Sequence, residues 1–323
     1  MSRLPFEASI KRIVFRPLAG PMGLARLVTD RAINREQSDS IEAPWPDLIV
    51  SAGVKNEPLC RWIRAQSGGR TRLLFLGRTW ARRRHFDLVV TTPQYRLPDE
   101  PNVLQNLMTQ HGVTRERLRE AAAQWCVRYQ QLPEPRIGVL LGGDSGPFVF
   151  GPLAARNLAD ALNALAGPRG GSVMITSSAR TSPQAISVLE SQLRVPHDVH
   201  RWRKDQAHNP FLGILGLADE LVVTADSIAM LSEAAATGRL VHMFGLRPAG
   251  TPDADSTPKA RAYAMIMRFG PQRLSRDLSL FHQAFVAAGF GVWLGDARRT
   301  DALPGDALAE AAATTARVTA LLQ

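Results

Sequence analysis

The residues best suited to chemistry in this chain gather at turns. The run from Val222 to Phe244, VVTADSIAMLSEAAATGRLVHMF, passes from an apolar strand into Thr224, Ala225, Asp226 and Ser227, then into a helix beginning near Ile228. Asp226 or Ser227 can cap that helix. A strand-to-helix turn also leaves backbone N–H groups aimed at whatever fills the cleft, which favours an anion. Ile228, Leu231 and Ala235 fall on a core-facing stripe, while Met230, Glu233 and Thr237 share another face. From that face Glu233 can accept hydrogen bonds from a ligand's vicinal hydroxyls. A plain N-cap followed by a solvated glutamate uses the same residues.

Three more turns have comparable chemistry. In LGGDSGPFVFG, Leu141 to Gly151, the residues Gly142, Gly143 and Gly146 let backbone approach a phosphate closely, and Ser145 adds a hydroxyl donor. The stretch lacks the Gly-Lys-Ser/Thr end of a phosphate-binding loop and the three spaced glycines of a dinucleotide fingerprint, and a tight turn is the competing reading. In ITSSARTSP, Ile175 to Pro183, the hydroxyls of Thr176, Ser177, Ser178 and Thr181 with Arg180 suit a diphosphate or sugar hydroxyls; a well-capped loop has the same look. In KDQAHNPFLGILGLADE, Lys204 to Glu220, Asn209 caps a helix with Pro210 at its first position, and His208 reads as an exposed loop residue.

These turns follow short runs rich in Val, Ile and Leu: Pro46 to Gly53, Arg72 to Gly77, Phe86 to Thr92, Arg136 to Gly143, Ser172 to Ser178, Glu220 to Thr224 and Leu240 to Gly245. Continuous rather than alternating apolar strands, separated by helical spacing, predict parallel sheets covered on both faces. The fold class is therefore α/β, with two Rossmann-like doubly wound domains. The proline-rich QQLPEPRIG predicts a boundary near Pro133, dividing residues 1–132 from 133–323, and the alanine-rich tail from Asp306 reads as a closing helix. In such sheets ligands lie outside the C-terminal strand ends, where these turns sit.

Composition narrows the function classes. With 323 residues, 45% hydrophobic and 21% charged, the chain is neither disordered nor rich in apolar runs long enough to cross a bilayer, and MSRLPFEASIKRI is no signal peptide. A cytoplasmic place follows. Cys60 and Cys126 lie far apart in helical contexts, which predicts packing roles and no metal. The net charge of +10 favours anionic partners. Its densest cluster, RTWARRRHFD from Arg78 to Asp87, reads first as a solvated loop and second as a lipid or phosphate patch. Nucleic acid is not expected, because no nucleic-acid motif accompanies the charge.

Taken together, GGDSGPFVFG, TSSARTSP and HNPFLGILGLADELVVTADSIAMLSEAAATG resemble the elongated-mitochondria (mitochondrial fission) family, whose bacterial members are described as glycosyltransferases of the two-Rossmann GT-B type. The resemblance extends to SAGVKNEPLCRWIRAQSGGRT and FHQAFVAAGF. It implies that the segment from Asp226 to Gly238 is a donor-site helix, with Ser227 near a diphosphate and Glu233 near ribose or sugar hydroxyls. Gly142, Gly143, Asp144 and Ser145 would form the facing loop, with Thr176, Ser177 and Arg180 beside it. Thr224, Asp226, Met230 and Asn209 complete the expected donor-binding set. Where the family carries a Thr-Ser-Arg-Arg-Thr run, Ser178 and Ala179 stand here, so one expected cation is missing.

The resemblance implies transfer of a sugar from a nucleoside diphosphate sugar, bound between the two domains, to an acceptor hydroxyl. The donor is a substrate; no cofactor or metal is expected, and Asp253-Ala254-Asp255 reads as a surface loop. The charge fits an acceptor that is lipid-linked or held at an anionic membrane surface, and so a peripheral place on the inner face of the cell membrane. Measured against the family's pattern, the chain opens at LPFEASIKRIVFRPL, similar to the family's second strand, and the first strand, its glycine-histidine loop and the first helix are expected to be missing. No catalytic base is assigned, and Glu57, His85 and Asp87 are candidates by position alone. Two rivals stay open, a non-catalytic adaptor that keeps the fold and a sugar-nucleotide epimerase on the same architecture.

Overall fold

The computed structural model describes residues 7–16, 28–206, 208–296 and 307–323. The chain forms two compact units, residues 1–107 with 309–323 and residues 108–308. Each holds one parallel sheet.

In the first unit, β1 (Leu48–Ala52), β2 (Arg72–Leu76), β3 (Leu88–Thr91) and β4 (Val103–Gln105) lie side by side in chain order, all parallel. Helix α1 (Glu57–Gln66) covers one face, with Cys60 packed against Leu73, Phe75, Phe86 and Val89. Helix α9 (Ala307–Ala320) covers the other, where Val318 joins Leu74, Leu88 and Val90 and Thr314 accepts a hydrogen bond from Asn106 Nδ2 at 2.7 Å. The tail thus forms the expected helix, with Asp306 outside the described residues. At the front, the described part of LPFEASIKRIVFRPL contributes an isolated bridge between Phe15 and Ile33 and no strand.

The second unit carries β5 (Arg136–Leu140), β6 (Ser172–Thr176), β7 (His197–His200), β8 (Glu220–Thr224), β9 (Val241–Phe244) and β10 (Gly291–Trp293), in the order β10-β9-β8-β5-β6-β7. The order reverses between β5 and β8, which makes the C-terminal ends of those two strands a topological switch point. β6 is buried at every position, as a sheet covered on both faces requires. Helix α2 (Arg115–Tyr129) begins the unit, followed by α3 (Pro152–Ala166), α4 (Pro183–Gln192), α5 (Phe211–Leu217), α6 (Ile228–Ala235), α7 (Pro258–Phe269) and α8 (Leu278–Ala287). On α3 the spacing of Ala155, Leu158, Ala159, Leu162 and Ala166 makes one stripe, fully buried against the sheet; each leucine contributes about 2 kcal/mol.

The division therefore falls at Leu107 and again at Leu308, not near Pro133. The reason is α2, which precedes the proline-rich stretch yet packs on α5. A Cβ at Gly213 would come within 2.6 Å of the Trp125 side chain, and one at Gly216 within 2.6 Å of the Leu118 carbonyl. Two glycines on one helix let a second helix approach this closely, and the contact holds α2 in the second unit. Cys126, expected to pack, is exposed on α2, whereas Cys60 is buried.

Candidate functional site

The switch point collects three of the four turns singled out by sequence. From β5 come Gly142 to Ser145, from the end of β6 Ser177 to Thr181, and from the end of β8 Ala225 to Ser227. Gly142 N–H donates to Thr224 Oγ1 at 2.7 Å and Gly143 N–H to Asp226 Oδ2 at 3.2 Å. Asp144 N–H donates to the Arg180 carbonyl at 3.3 Å, and Arg180 Nη1 returns a bond to the Asp144 carbonyl at 3.1 Å. Arg180 Nη2 lies 3.4 Å from Asp226 Oδ2. Ser178 Oγ and Thr181 Oγ1 both donate to the Gly142 carbonyl.

This wiring revises the role expected of the glycine loop. The amides of Gly142, Gly143, Asp144 and Ser145 are spent inside the protein, Ser145 N–H on the Phe148 carbonyl. The glycines serve close packing instead: a Cβ on Gly142 would run into the Asp226 carboxylate, and one on Gly143, whose φ is 150°, into the Arg180 carbonyl. Asp144 is exposed and its Oδ1 accepts from Phe150 N–H at 3.2 Å, while Ser145 Oγ accepts from Arg276 Nη2 at 3.1 Å. Ser177 is buried and its Oγ accepts from Trp202 N–H at 2.9 Å. Thr176 is buried too, and its Oγ1 has no hydrogen-bond partner among the described residues.

Asp226 is the electrostatic centre. Its side chain is fully buried, Oδ1 has no partner among the described residues, and burial pushes its pKa up from 3.8 to about 6, against the pull of Arg180 and the Gly143 amide. Arg180 stays 44% exposed, so one guanidinium reaches from the buried carboxylate to solvent. The next residue, Ser227, is the N-cap of α6 but its side chain makes no capping bond, which leaves the first amides of α6 without a side-chain acceptor among the described residues. From the other side, buried His282 Nε2 donates to the Ala225 carbonyl at 2.7 Å, which fixes the Nε2–H tautomer and pins the turn.

Along α6, Ile228, Leu231 and Ala235 are buried as their spacing requires, and Met230 and Glu233 are half-buried on the other face. Burial raises the Glu233 pKa from 4.5 to about 7, opposed by Arg117. Ser232 Oγ accepts from Thr109 N–H at 3.0 Å, tying α6 to the start of the unit. Asn209 stands apart as a cap: its Oδ1 accepts from Phe211 N–H at 3.0 Å, with Pro210 in the N-cap position, one residue earlier than expected. The Asp253 to Asp255 loop also has a structural task that sequence reading missed. Asp255 accepts from Leu153 N–H at 3.2 Å and Ala154 N–H at 2.7 Å and so caps α3.

The model of the family described as Mitochondrial fission ELM1 matches residues 3–261. The chain belongs to that family. An Arabidopsis thaliana relative, the mitochondrial fission protein ELM1, is 34% identical over 151 residues, which are 46% of this chain and 35% of the relative. The match thus spans about a third of that relative's length. Among solved structures, a glycosyltransferase from Rickettsia africae ESF-5 is 11% identical, covers 75% of each chain and has a TM-score of 0.40. A UDP-GlcNAc 2-epimerase from Neisseria meningitidis bound to UDP-GlcNAc is 13% identical, covers 75% of this chain and 76% of its own, with a TM-score of 0.38.

In the first unit of this ELM1-family chain, the three positional candidates for a base have other surroundings. Glu57 is fully buried and accepts from Trp80 N–H at 2.7 Å and Ala81 N–H at 2.8 Å, and burial raises its pKa. Asp87 accepts from Leu73 N–H at 2.8 Å and pairs with Arg64 at 3.1 Å and Arg72 at 3.2 Å. His85 sits in a short helical turn with Arg83 and Arg84; burial lowers its pKa and the surrounding arginines lower it further. In the basic cluster, Arg82 and Arg84 are exposed, as a solvated loop requires, and Arg83 pairs with Glu100.

Proposed function

We propose that the second unit binds a nucleoside diphosphate sugar at its switch point, as the donor for transfer of the sugar to an acceptor hydroxyl. The observation that carries this reading is that the Arg180 guanidinium lies 3.4 Å from Asp226, the residue just before the N-cap of α6, and that Ser227 makes no side-chain capping bond there. A diphosphate there takes its charge compensation from Arg180, Ser227 and the α6 amides. Glu233, one helical turn and more along, accepts from ribose or sugar hydroxyls, with Met230 beneath the nucleoside. Negative charge developing on the leaving diphosphate is stabilised by the same groups, which cost no reorganisation because they already stand there. The overall charge of +10 agrees with an acceptor held at an anionic surface.

A non-catalytic adaptor is the second reading, and one observation favours it: Glu57 and Asp87 are both committed to backbone amides or arginines. Thermal-shift titration with nucleoside diphosphates and their sugars tests the donor site. Stabilisation by a nucleoside diphosphate that Glu233→Ala reduces supports the site; no response from any of them removes it. Product analysis with a responding nucleotide sugar then separates transfer from an adaptor that merely binds.

A further inference from the structure

Helix α7 (Pro258–Phe269), PKARAYAMIMRF, presents its apolar residues to solvent. It is a well-made helix, with Pro258 in its first turn and Thr257 Oγ1 accepting from Ala260 N–H at 3.1 Å. Yet Ala260 alone among its residues is buried, while Met265 is 62%, Ile266 39% and Phe269 71% exposed. At 3.6 residues per turn, Ala262, Met265, Ile266 and Phe269 form one strip on the side opposite Ala260. Lys259 flanks that strip on one edge and Arg261 and Arg268 on the other, all three exposed, and the Arg268 guanidinium lies 5.1 Å from the Phe269 ring centre. The helix contains no acidic residue.

We infer that α7 is a membrane-docking helix that lies in the plane of an anionic lipid surface, with Met265, Ile266 and Phe269 among the acyl chains and Lys259, Arg261 and Arg268 at the headgroups. The occupant of this face must be apolar along its centre and negative along both rims. A bilayer containing acidic lipid offers that arrangement to a helix lying on it, and long basic side chains reach the headgroups while their stems stay over apolar surface. The helix is an in-plane element, since among the described residues no helix is long and apolar enough to cross a membrane. The inference stands on α7 alone and survives if no nucleotide binds the switch point.

Flotation of the full chain with vesicles tests it. The chain should float with vesicles of phosphatidylcholine and phosphatidylglycerol and stay behind with phosphatidylcholine alone. Met265→Ser with Phe269→Ser should weaken partitioning by about tenfold or more, because each removes a large apolar side chain from lipid. Arg261→Gln and Arg268→Gln should weaken it by about fivefold each and lessen its salt sensitivity. These side chains are exposed, so unchanged thermal unfolding of the variants shows that the loss lies in docking. Equal flotation with neutral vesicles, none with anionic ones, or no loss in the Met265 and Phe269 variant would each overturn the inference. So would light scattering that gives a dimer for the parent chain and a monomer for that variant, since the face would then belong to a second copy.

Discussion

Asp226→Asn separates what the buried carboxylate does for stability from what it does for the site. Its folded-state pKa, about 6, stands above the ordinary 3.8, so the folded chain holds the proton more tightly than the unfolded one. Stability linked to this group is present in full below about pH 4 and is lost as pH rises toward about 6. The gap between 3.8 and about 6 corresponds to roughly 3 kcal/mol in favour of the neutral form. Asparagine is neutral at every pH, nearly the same shape, and can still accept from the Gly143 amide. Urea unfolding at about pH 8 should therefore find Asp226→Asn more stable than the parent by up to roughly 3 kcal/mol, and the difference should vanish near pH 4. Glu233, raised in the same direction, is common to both chains and cancels. In the site the substitution removes the counter-charge of Arg180, which keeps its bond to the Asp144 carbonyl, so nucleoside diphosphate affinity at about pH 8 should not fall. A variant less stable than the parent by the same amount at both pH values would refute this reasoning, because the ion pair would then outweigh the burial.

The remaining expectations concern groups with structural tasks. Asp255→Ala uncaps α3 and should cost about 1–2 kcal/mol in urea unfolding. Glu57→Ala leaves the Trp80 and Ala81 amides without their acceptor and should destabilise the first unit by about 2–3 kcal/mol, with nucleotide binding to the second unit unchanged. Gly143→Ala forces a side chain against the Arg180 carbonyl and should cost about 2 kcal/mol while also weakening nucleotide binding, read by the same unfolding and titration experiments.

Much of the fold was legible from runs of Val, Ile and Leu. All seven runs became strands: six are inner strands, which must be apolar throughout when both faces are covered, and the seventh, β1, is an edge strand, only partly buried, whose LIVSA is largely apolar all the same. The three strands that escaped, β4, β7 and β10, lie at sheet edges and are three or four residues long. HDVH of β7 is half polar, since an edge strand needs no continuous apolar run. The boundary was misplaced for a different reason: QQLPEPRIG looks like a linker locally, but the packing of Gly213 and Gly216 against α2 is a contact between distant segments that no local composition records. The same limit applies to the site. That Thr224, Asp226, Gly142 and Arg180 meet follows from strand order, and the turns were identifiable as turns. Which amides remained available was not, because it depends on Asp226 reaching Gly143 and on Asp255 reaching α3 across about a hundred residues of chain. Likewise, Asp253-Ala254-Asp255 is the surface loop it reads as, but the cap that Asp255 supplies to α3 is hidden because its partner lies far away in sequence.

The most direct test of the donor site is calorimetric titration of UDP, ADP and GDP into the parent chain and into Arg180→Ala. Saturable binding of one of them to the parent, weakened at least about tenfold in Arg180→Ala, is the predicted result. Binding that Arg180→Ala leaves unchanged would contradict a diphosphate at the α6 N-terminus.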